Sequence, residues 1–334
     1  MTTRVSGAEG SDHATGCTIA AASGSATRDG MPLLMSTSDD PFATRTRLVV
    51  EAPVNGYRFV ATQIVSPPPI VSWSNMHTRG VNEAGLAYAW SYVTPASEPT
   101  DATAIGIPYY QWGRLVLSEA ACVDEALMLL ERYPLAFHGN FLFADATGEI
   151  CLVEVGTETV HVAERMQNGW IGRANHWTSG VKMSVEDAAL ACSSRQRHAR
   201  LHERLQALDG DIDTENLMGI CRDHAGRDQN DIGYSICAHG HHGESPVWFG
   251  TVSSEVTDPR SRVLWYCYGW PCGEAPERAD HQLYQEFSWG TYLPFDLPQL
   301  EPGEYVTTDG RLTALALRYL ARHQEQAGTI LTIG

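Results

Sequence analysis

The chain has 334 residues, of which 43% are hydrophobic, so it is long enough to bury a large core. Its formal net charge of −17 and its scattered basic residues argue against a phosphate-backbone partner, so no nucleic acid is expected. No apolar run approaches the roughly 18–20 residues that span a bilayer, so no membrane partner is expected either.

The N-terminal segment, MTTRVSGAEGSDHATG, is small and polar and lacks the apolar run of a secretory signal. This composition predicts a flexible segment. Because no signal is recognised, the protein is expected to be cytoplasmic and its eight cysteines to be reduced. Most of these thiols are expected to be ordinary core residues.

Short β-branched or apolar runs, separated by Gly, Pro and Asp, dominate the first half of the chain and predict strands. These runs are CTIAAAS, MPLLMSTS, TRLVVEA, YRFVATQIV and, after the tight turn NEAG, GLAYAWSYV. The segment SPPPI predicts a non-helical connection before that turn.

The apolar spacing then becomes helical. A helix is predicted over 114–132, with Pro134 as its stop, and NFLFADATGEICLVEV predicts a hairpin. Two further helices are predicted for SSRQRHARLHERLQAL and for ENLMGICRDH after the cap Asp213. Three strands follow, predicted for SICAHG, PVWFGTVSSEV and RVLWYCYG, and a last helix is predicted for DGRLTALALRYLARHQEQ. This order predicts an α+β fold with largely antiparallel sheets in one domain.

One thiol, Cys17, lies between a glycine and a threonine at the start of the first predicted strand. A single cysteine in this place is by itself typical of core packing, since a nucleophile must be accessible and activated. Its neighbourhood is ordered, however: a turn at Thr27–Gly30 and the acidic pair Asp39 and Asp40 follow it. Downstream, the chain contains NEAGLAYAW, RANHW, SICAHG and WYCYGWPC in that order.

This order of motifs resembles the N-terminal-nucleophile cysteine hydrolases that cleave linear carbon–nitrogen amide bonds. It is most similar to the acyl-coenzyme A:6-aminopenicillanic acid acyltransferase family, which is related to the choloylglycine hydrolases and the cysteine dipeptidases. The resemblance covers about residues 16–272. It implies a four-layer αββα sandwich with two mainly antiparallel sheets.

The resemblance implies that Cys17 is the nucleophile and that its own α-amine is the base. Because sixteen residues precede Cys17, this chemistry requires cleavage after Gly16, so that 1–16 is a propeptide and 17–334 is the hydrolase domain. The amine pKa of about 7.7–8.0 and the thiol pKa of about 8.5 allow proton exchange near neutrality. Glycine suits the cleaved position because it leaves its carbonyl open to attack by the thiol.

The same resemblance suggests roles for other residues. Asp39 would hold the α-ammonium of the nucleophile, with Asp40 as the alternative because the register allows either. Asn175 would donate a hydrogen bond to the oxyanion. His176 would support that loop beside the substrate.

Two aromatic residues, Trp90 and Tyr92, are expected at an apolar acyl pocket, with core packing as the alternative. Three positions depart from the family pattern. Ser36 stands where Arg or Gln is usual, Thr37 stands where Asn is usual, and Ala238 stands where a basic residue is common. The resemblance therefore implies no particular substrate.

The predicted function is hydrolysis or transfer of an acyl group at a linear amide of a small molecule, through a Cys17 thioester. No metal or organic cofactor is expected, and homo-oligomer formation is left open. The alternatives are a dipeptidase-like activity, a non-catalytic binding protein that retains the fold, and a metal hydrolase. The metal hydrolase would be built on Cys237, His239, His241 and His242, with Asp223 and His224 upstream. The metal site is the least favoured of these, because alternate residues of a strand point to opposite faces.

Overall fold

The computed structural model describes ten stretches of the chain: residues 16–41, 44–65, 75–93, 106–135, 137–156, 159–179, 188–225, 235–241, 248–273 and 288–327.

Strands are the most common regular element of the described chain. In chain order they are β1 (Gly16–Ser23), β2 (Leu33–Pro41), β3 (Arg45–Glu51), β4 (Phe59–Val65), β5 (Met76–Asn82), β6 (Leu86–Tyr92), β7 (Gly139–Asp145), β8 (Ile150–Val155), β9 (Val160–Met166), β10 (Gly169–Arg173), β11 (His239–His241), β12 (Trp248–Asp258), β13 (Val263–Tyr268), β14 (Leu293–Asp296) and β15 (Gly303–Val306). The α-helices are α1 (Tyr109–Glu119), α2 (Val123–Arg132), α3 (Ala188–Ala207), α4 (Thr214–Cys221) and α5 (Ala314–Ala327).

The strands form two antiparallel sheets. The seven-stranded sheet has the order β10-β1-β2-β12-β13-β14, with β11 also paired to β12. The eight-stranded sheet has the order β15-β3-β4-β5-β6-β7-β8-β9. The α+β class and the antiparallel sheets predicted from the sequence are confirmed.

The two sheets pack face to face, with helices outside them. Along β1, Ile19 and Ala21 point at the other sheet, whereas Ala20 and Ala22 point at α3 and α4. Helices α1 and α2 cover the outer face of the eight-stranded sheet. Each large apolar side chain buried in these layers stabilises the fold by roughly 1.5–3 kcal/mol. The predicted four-layer αββα sandwich is confirmed.

The single helix predicted over 114–132 is wrong, because α1 and α2 are separate helices. Asn82 donates two hydrogen bonds to carbonyls at the end of α1, the shorter of them 2.6 Å long and directed at Ala120 O. The first N–H of α2, at Val123, donates to Asp145 Oδ2 over 3.0 Å. The helical spacing of apolar residues runs through this break, so the pattern alone did not reveal it.

One strand that the sequence did not predict matters for the site. This strand, β5, carries His77, Arg79 and Gly80 among its seven buried residues. A Cβ on Gly80 would lie 2.5 Å from Val60 O, so glycine permits the close approach of β5 to β4. The strands β9, β10, β14 and β15 were also missed, and the SPPPI connection lies outside the described residues.

Within the described ranges, no helix combines the length and the apolar character that crossing a bilayer requires.

Candidate active site

The thiol of Cys17 is buried between the two sheets. Cys17 is 6% exposed, and strand alternation places its side chain on the same face of β1 as Ile19. From the opposite sheet, Arg79 Nη2 donates hydrogen bonds to Cys17 Sγ over 3.4 Å and to Thr37 O over 2.9 Å. Burial raises the pKa of the Cys17 thiol to about 11, and the Arg79 guanidinium opposes this rise.

The main-chain nitrogen of Cys17 is held by a side-chain amide. Cys17 N donates to Asn175 Oδ1 over 2.8 Å, and Arg197 Nη2 donates to the same oxygen over 2.7 Å. Asn175 Nδ2 donates to Tyr92 O over 2.8 Å. Two donors on one side and an acceptor on the other fix the orientation of this amide. Its oxygen, rather than its nitrogen, therefore faces Cys17 N.

Arg197 reaches the start of β1 from α3. Its Nη1 donates to Cys17 O over 2.8 Å and to Thr18 Oγ1 over 3.2 Å. A Cβ built on Gly16 would lie 3.2 Å from Arg197 Nη2 and 3.3 Å from Asp39 Oδ2. Glycine at this position therefore leaves room for a guanidinium and a carboxylate beside the peptide bond to Cys17.

Asp39 pairs with Gly16 across the β1–β2 ladder. Its Oδ1 accepts a hydrogen bond of 2.6 Å from Thr251 Oγ1, whereas its buried Oδ2 has no hydrogen-bond partner among the described residues. Burial raises the pKa of Asp39 to about 7, although Arg197 and Thr251 both act to lower it. This carboxyl can thus gain or lose a proton near neutral pH.

Asp40 lies on the face of β2 that points between the sheets, as Leu34 does. It is therefore on the same side of its sheet as the Cys17 thiol. Its Oδ2 accepts a hydrogen bond of 2.9 Å from Ser38 Oγ, and burial raises its pKa to about 6. The sequence could not decide which of these two acids lies beside the nitrogen of Cys17. In the structure Asp39 lies beside Gly16, whereas Asp40 lies in the layer that contains the thiol.

A third carboxyl, Glu255 on β12, pairs with Arg79 inside the sandwich. Arg79 Nε lies 3.4 Å from Glu255 Oε2, and both side chains are buried. Glu255 also accepts hydrogen bonds of 2.8–2.9 Å from the hydroxyls of Ser36, Thr62 and Ser253. Ser36, which departs from the family pattern, thus serves to hold this buried carboxylate.

These buried groups do not balance in charge. Two guanidiniums, Arg79 and Arg197, face three carboxyls, Asp39, Asp40 and Glu255. Removing all five from water with every carboxyl ionised would leave one excess negative charge. Burial therefore holds the pKa of each carboxyl above its ordinary value.

His176 is linked to the site through a serine. Ser194 Oγ accepts a hydrogen bond of 2.7 Å from Asn175 N, so its own proton is directed to His176 Nδ1, 2.7 Å away. Burial, aided by nearby arginines, lowers the pKa of His176 to about 4, which keeps the ring neutral. The structure thus places His176 behind the loop that holds Asn175.

The two predicted aromatic residues contribute main-chain atoms to the site. Trp90 O lies 3.4 Å from the donor Arg79 Nη2, and Tyr92 O accepts from Asn175. The Trp90 ring packs against Phe137, with centroids 5.9 Å apart, in the outer layer under α1 and α2. That side chain points away from the layer containing Cys17.

Two functional candidates, Arg79 and Arg197, were missed by the sequence reasoning. The guanidiniums come from β5 and α3. An arginine within a fully buried strand was the available signal for Arg79, but recognising it required identifying β5 first. Arg197 lies in a helix rich in arginine, so its composition gave no separate signal.

A cavity of about 470 Å³ opens between α1 and the strands β3–β5, and its lining includes Glu51, His77 and Arg114. Cys17 and Asn175 are not part of this lining. The cavity is therefore separate from the cluster around the thiol.

Comparison with known proteins matches the chain to one family. The family model described as acyl-coenzyme A:6-aminopenicillanic acid acyl-transferase matches residues 39–272, a range that includes Asp39 and Asn175 and begins after Cys17. No curated protein matches the chain.

Two solved structures of one hydrolase share its fold. A mutant of the conjugated bile acid hydrolase from Clostridium perfringens aligns with a TM-score of 0.52 and 14% identity, over 88% of this chain and 97% of that chain. A second variant of that hydrolase aligns with a TM-score of 0.52 and 13% identity, over 90% of this chain and 100% of that chain. Penicillin V acylase from Agrobacterium tumefaciens aligns with a TM-score of 0.45 and 16% identity, over 75% of this chain and 83% of that chain.

Proposed function

Because this chain belongs to the acyl-coenzyme A:6-aminopenicillanic acid acyltransferase family, it is an enzyme acting on amide bonds, and we propose that Cys17 is its nucleophile. The enzyme cleaves or transfers the acyl group of a small linear amide through a thioester on this thiol. Residues 1–16 are a propeptide that the chain removes itself.

The observation that carries this proposal is the setting of Cys17 N. It donates to Asn175 Oδ1 over 2.8 Å, and Arg197 and the unpartnered Oδ2 of Asp39 lie beside the adjoining Gly16. Cleavage before Cys17 would create an α-ammonium at this nitrogen. That ammonium would bring the buried cations to three, equal to the number of carboxyls, and Asp39 Oδ2 would gain a partner.

The proposed maturation uses the two neighbouring acids differently. Asp40, on the same side of its sheet as the thiol, accepts the thiol proton, and the Cys17 sulfur bonds to the Gly16 carbonyl carbon. The bond from that carbon to Cys17 N breaks as the nitrogen takes the proton of Asp39. Water then hydrolyses the thioester, which releases residues 1–16 with a free carboxylate and restores the thiol.

In the mature enzyme the free α-amine accepts the thiol proton, and the sulfur attacks the substrate carbonyl. Asn175 Nδ2 has a second N–H beyond the one given to Tyr92, and this N–H is the oxyanion donor that we propose. The substrate amine leaves with the proton, and water or a second amine takes the acyl group from Cys17. Arg79, close to the sulfur, stabilises the thiolate throughout.

The test is a substrate panel with covalent trapping. Wild type, Cys17→Ala and the matched thiol control Cys122→Ala are incubated with bile-acid amides, dipeptides, and acyl-coenzyme A with 6-aminopenicillanic acid. Mass spectrometry measures the amine released from amides, the coenzyme A released from acyl-coenzyme A, and acyl groups on the Cys17 peptide. We expect Cys17→Ala to lose at least about 10³-fold in rate and the control to keep its activity. Turnover by Cys17→Ala at the wild-type rate contradicts the proposal.

A further inference from the structure

A second cluster of reactive side chains lies apart from Cys17. His224, Cys237 and Cys272 place one imidazole nitrogen and two sulfurs within 4.8 Å of one another. Cys237 is buried, and the other two are partly exposed. The three residues come from three distant parts of the chain: the segment after α4, the segment before β11 and the turn after β13.

The fold holds this cluster together through its main chain. Cys237 N donates a hydrogen bond of 3.0 Å to the carbonyl of Asp223, the residue before His224. Cys237 also packs in a small apolar cluster with Trp270, against which Cys272 lies. A main-chain hydrogen bond next to His224 and the packing around Trp270 therefore both support the juxtaposition of the three residues.

We propose that His224, Cys237 and Cys272 bind one zinc ion. Thiolate and imidazole are the ligands that this borderline-soft ion prefers, and two thiolates neutralise its charge. Zn–S bonds of about 2.3 Å in a tetrahedron place two sulfurs roughly 3.8 Å apart, so closing the cluster takes at most about 1 Å of movement. A water would be the fourth ligand. Both thiol protons leave to solvent on binding.

The third ligand favours a metal over a disulfide. A bridge between Cys237 and Cys272 would need an oxidant and would leave the convergence of His224 on the same point unexplained. The sequence had suggested a metal site from Cys237 with neighbouring histidines of the segment 239–242, whose side chains lie outside the described residues. The zinc site proposed here takes its other ligands from elsewhere in the chain.

The zinc would brace the structure behind the active site. Ala238, the neighbour of Cys237, donates its N–H to Thr251 Oγ1 over 2.9 Å, and Thr251 Oγ1 donates to Asp39. A zinc ion that fixes Cys237 would also fix the neighbouring Ala238, and through Thr251 it would help to hold Asp39 in place. This role is structural, and the chemistry at Cys17 does not pass through the ion.

Zinc content per chain tests the proposal on the full protein. Wild type, His224→Gln, Cys272→Ser and the control Cys122→Ser are loaded with zinc under reducing conditions, desalted and measured by plasma mass spectrometry. We expect one zinc per chain in wild type and control, and a fall in affinity of at least about 10-fold in the two ligand variants. Cobalt substitution should give a sulfur-to-cobalt charge-transfer band that Cys272→Ser weakens.

Three results would overturn the site. One is wild type that holds no stoichiometric zinc, and another is ligand variants that hold as much zinc as wild type. The third is a wild-type protein that, without reductant, has lost two thiols to a Cys237–Cys272 disulfide and binds no zinc after reduction. Because His224 and Cys272 are partly exposed, circular dichroism of their variants is expected to match wild type.

Discussion

The two ends of Cys17 meet different partners. Its sulfur faces Arg79 in the layer between the sheets, whereas its nitrogen faces Asn175 and Arg197. The thiol is thus held near a positive charge that favours its ionised form, and the nitrogen is held where a free amine would be useful. This division follows from strand geometry, since main chain and side chain leave β1 in different directions.

At this scale, the Arg79–Glu255 pair predicts a stability effect. Arg79→Met should lower the free energy of unfolding by about 3–5 kcal/mol, because it leaves the buried Glu255 carboxylate without its cation. Arg79→Met combined with Glu255→Gln removes both charges and keeps an oxygen that can accept from Thr62 and Ser253. The amide NH2 can donate to the Ser36 hydroxyl, so the double variant should recover most of this loss. Urea unfolding measures both variants. A single variant as stable as the double variant contradicts the pairing.

The raised pKa of Asp39 predicts a pH dependence of the uncleaved chain. In the unfolded chain the pKa is about 4, and in the folded chain it is about 7. Asp39 therefore stabilises the fold fully below about pH 4, and this contribution is lost as the pH rises through about 7. Cys17→Ala, which cannot cleave itself, should lose more stability between about pH 4.5 and 8 than Cys17→Ala combined with Asp39→Asn.

The two variants should differ in their loss of unfolding free energy by about 1.4 kcal/mol for each unit by which folding raises the pKa of Asp39. Urea unfolding of the two variants across this pH range gives the comparison directly. If the free energy of unfolding falls equally with pH in both variants, Asp39 is already ionised in the uncleaved chain, which contradicts the prediction. In mature wild type the α-ammonium should lower the pKa of Asp39, so the slope should diminish.

At the scale of elements, the sequence predicted those strands whose side chains alternate between two layers. It missed β9, whose residues are largely exposed, because an edge strand of this kind has no buried face to create the alternation. It missed β5 because His77 and Arg79 look like loop residues until their partners on distant strands are known. The break between α1 and α2 was missed for the same reason, since Asn82 supplies the cap from another element.

The hydrogen bonds from Asn82 to the end of α1 predict that its substitution lowers the stability of the fold. Asn82→Ala removes two hydrogen bonds to carbonyls of α1 and its C-cap, and two from the N–H groups of Ala84 and Leu86. The buried groups left behind should lower the free energy of unfolding by about 2–4 kcal/mol. Gln206→Ala on the exposed face of α3 is the control, expected within about 0.5 kcal/mol of wild type. Equal unfolding curves for the two variants would contradict the capping role.

At the scale of the whole molecule, the site is assembled from both sheets and α3. The order of motifs in the sequence led to Cys17, Asp39 and Asn175, and the structure brings these three together. Arg79 and Arg197 could not be found in this way, because they are 62 and 180 residues from Cys17 in the chain. Their placement depends on the packing of layers, which local patterns do not encode.

The central claim is that Cys17 becomes the first residue of the working enzyme. Intact-mass measurement of purified wild type, Cys17→Ala and Cys122→Ala tests it most directly. We predict that wild type and Cys122→Ala have the mass of residues 17–334, whereas Cys17→Ala keeps residues 1–16. A wild-type chain that retains residues 1–16 and still turns over amides would contradict the account.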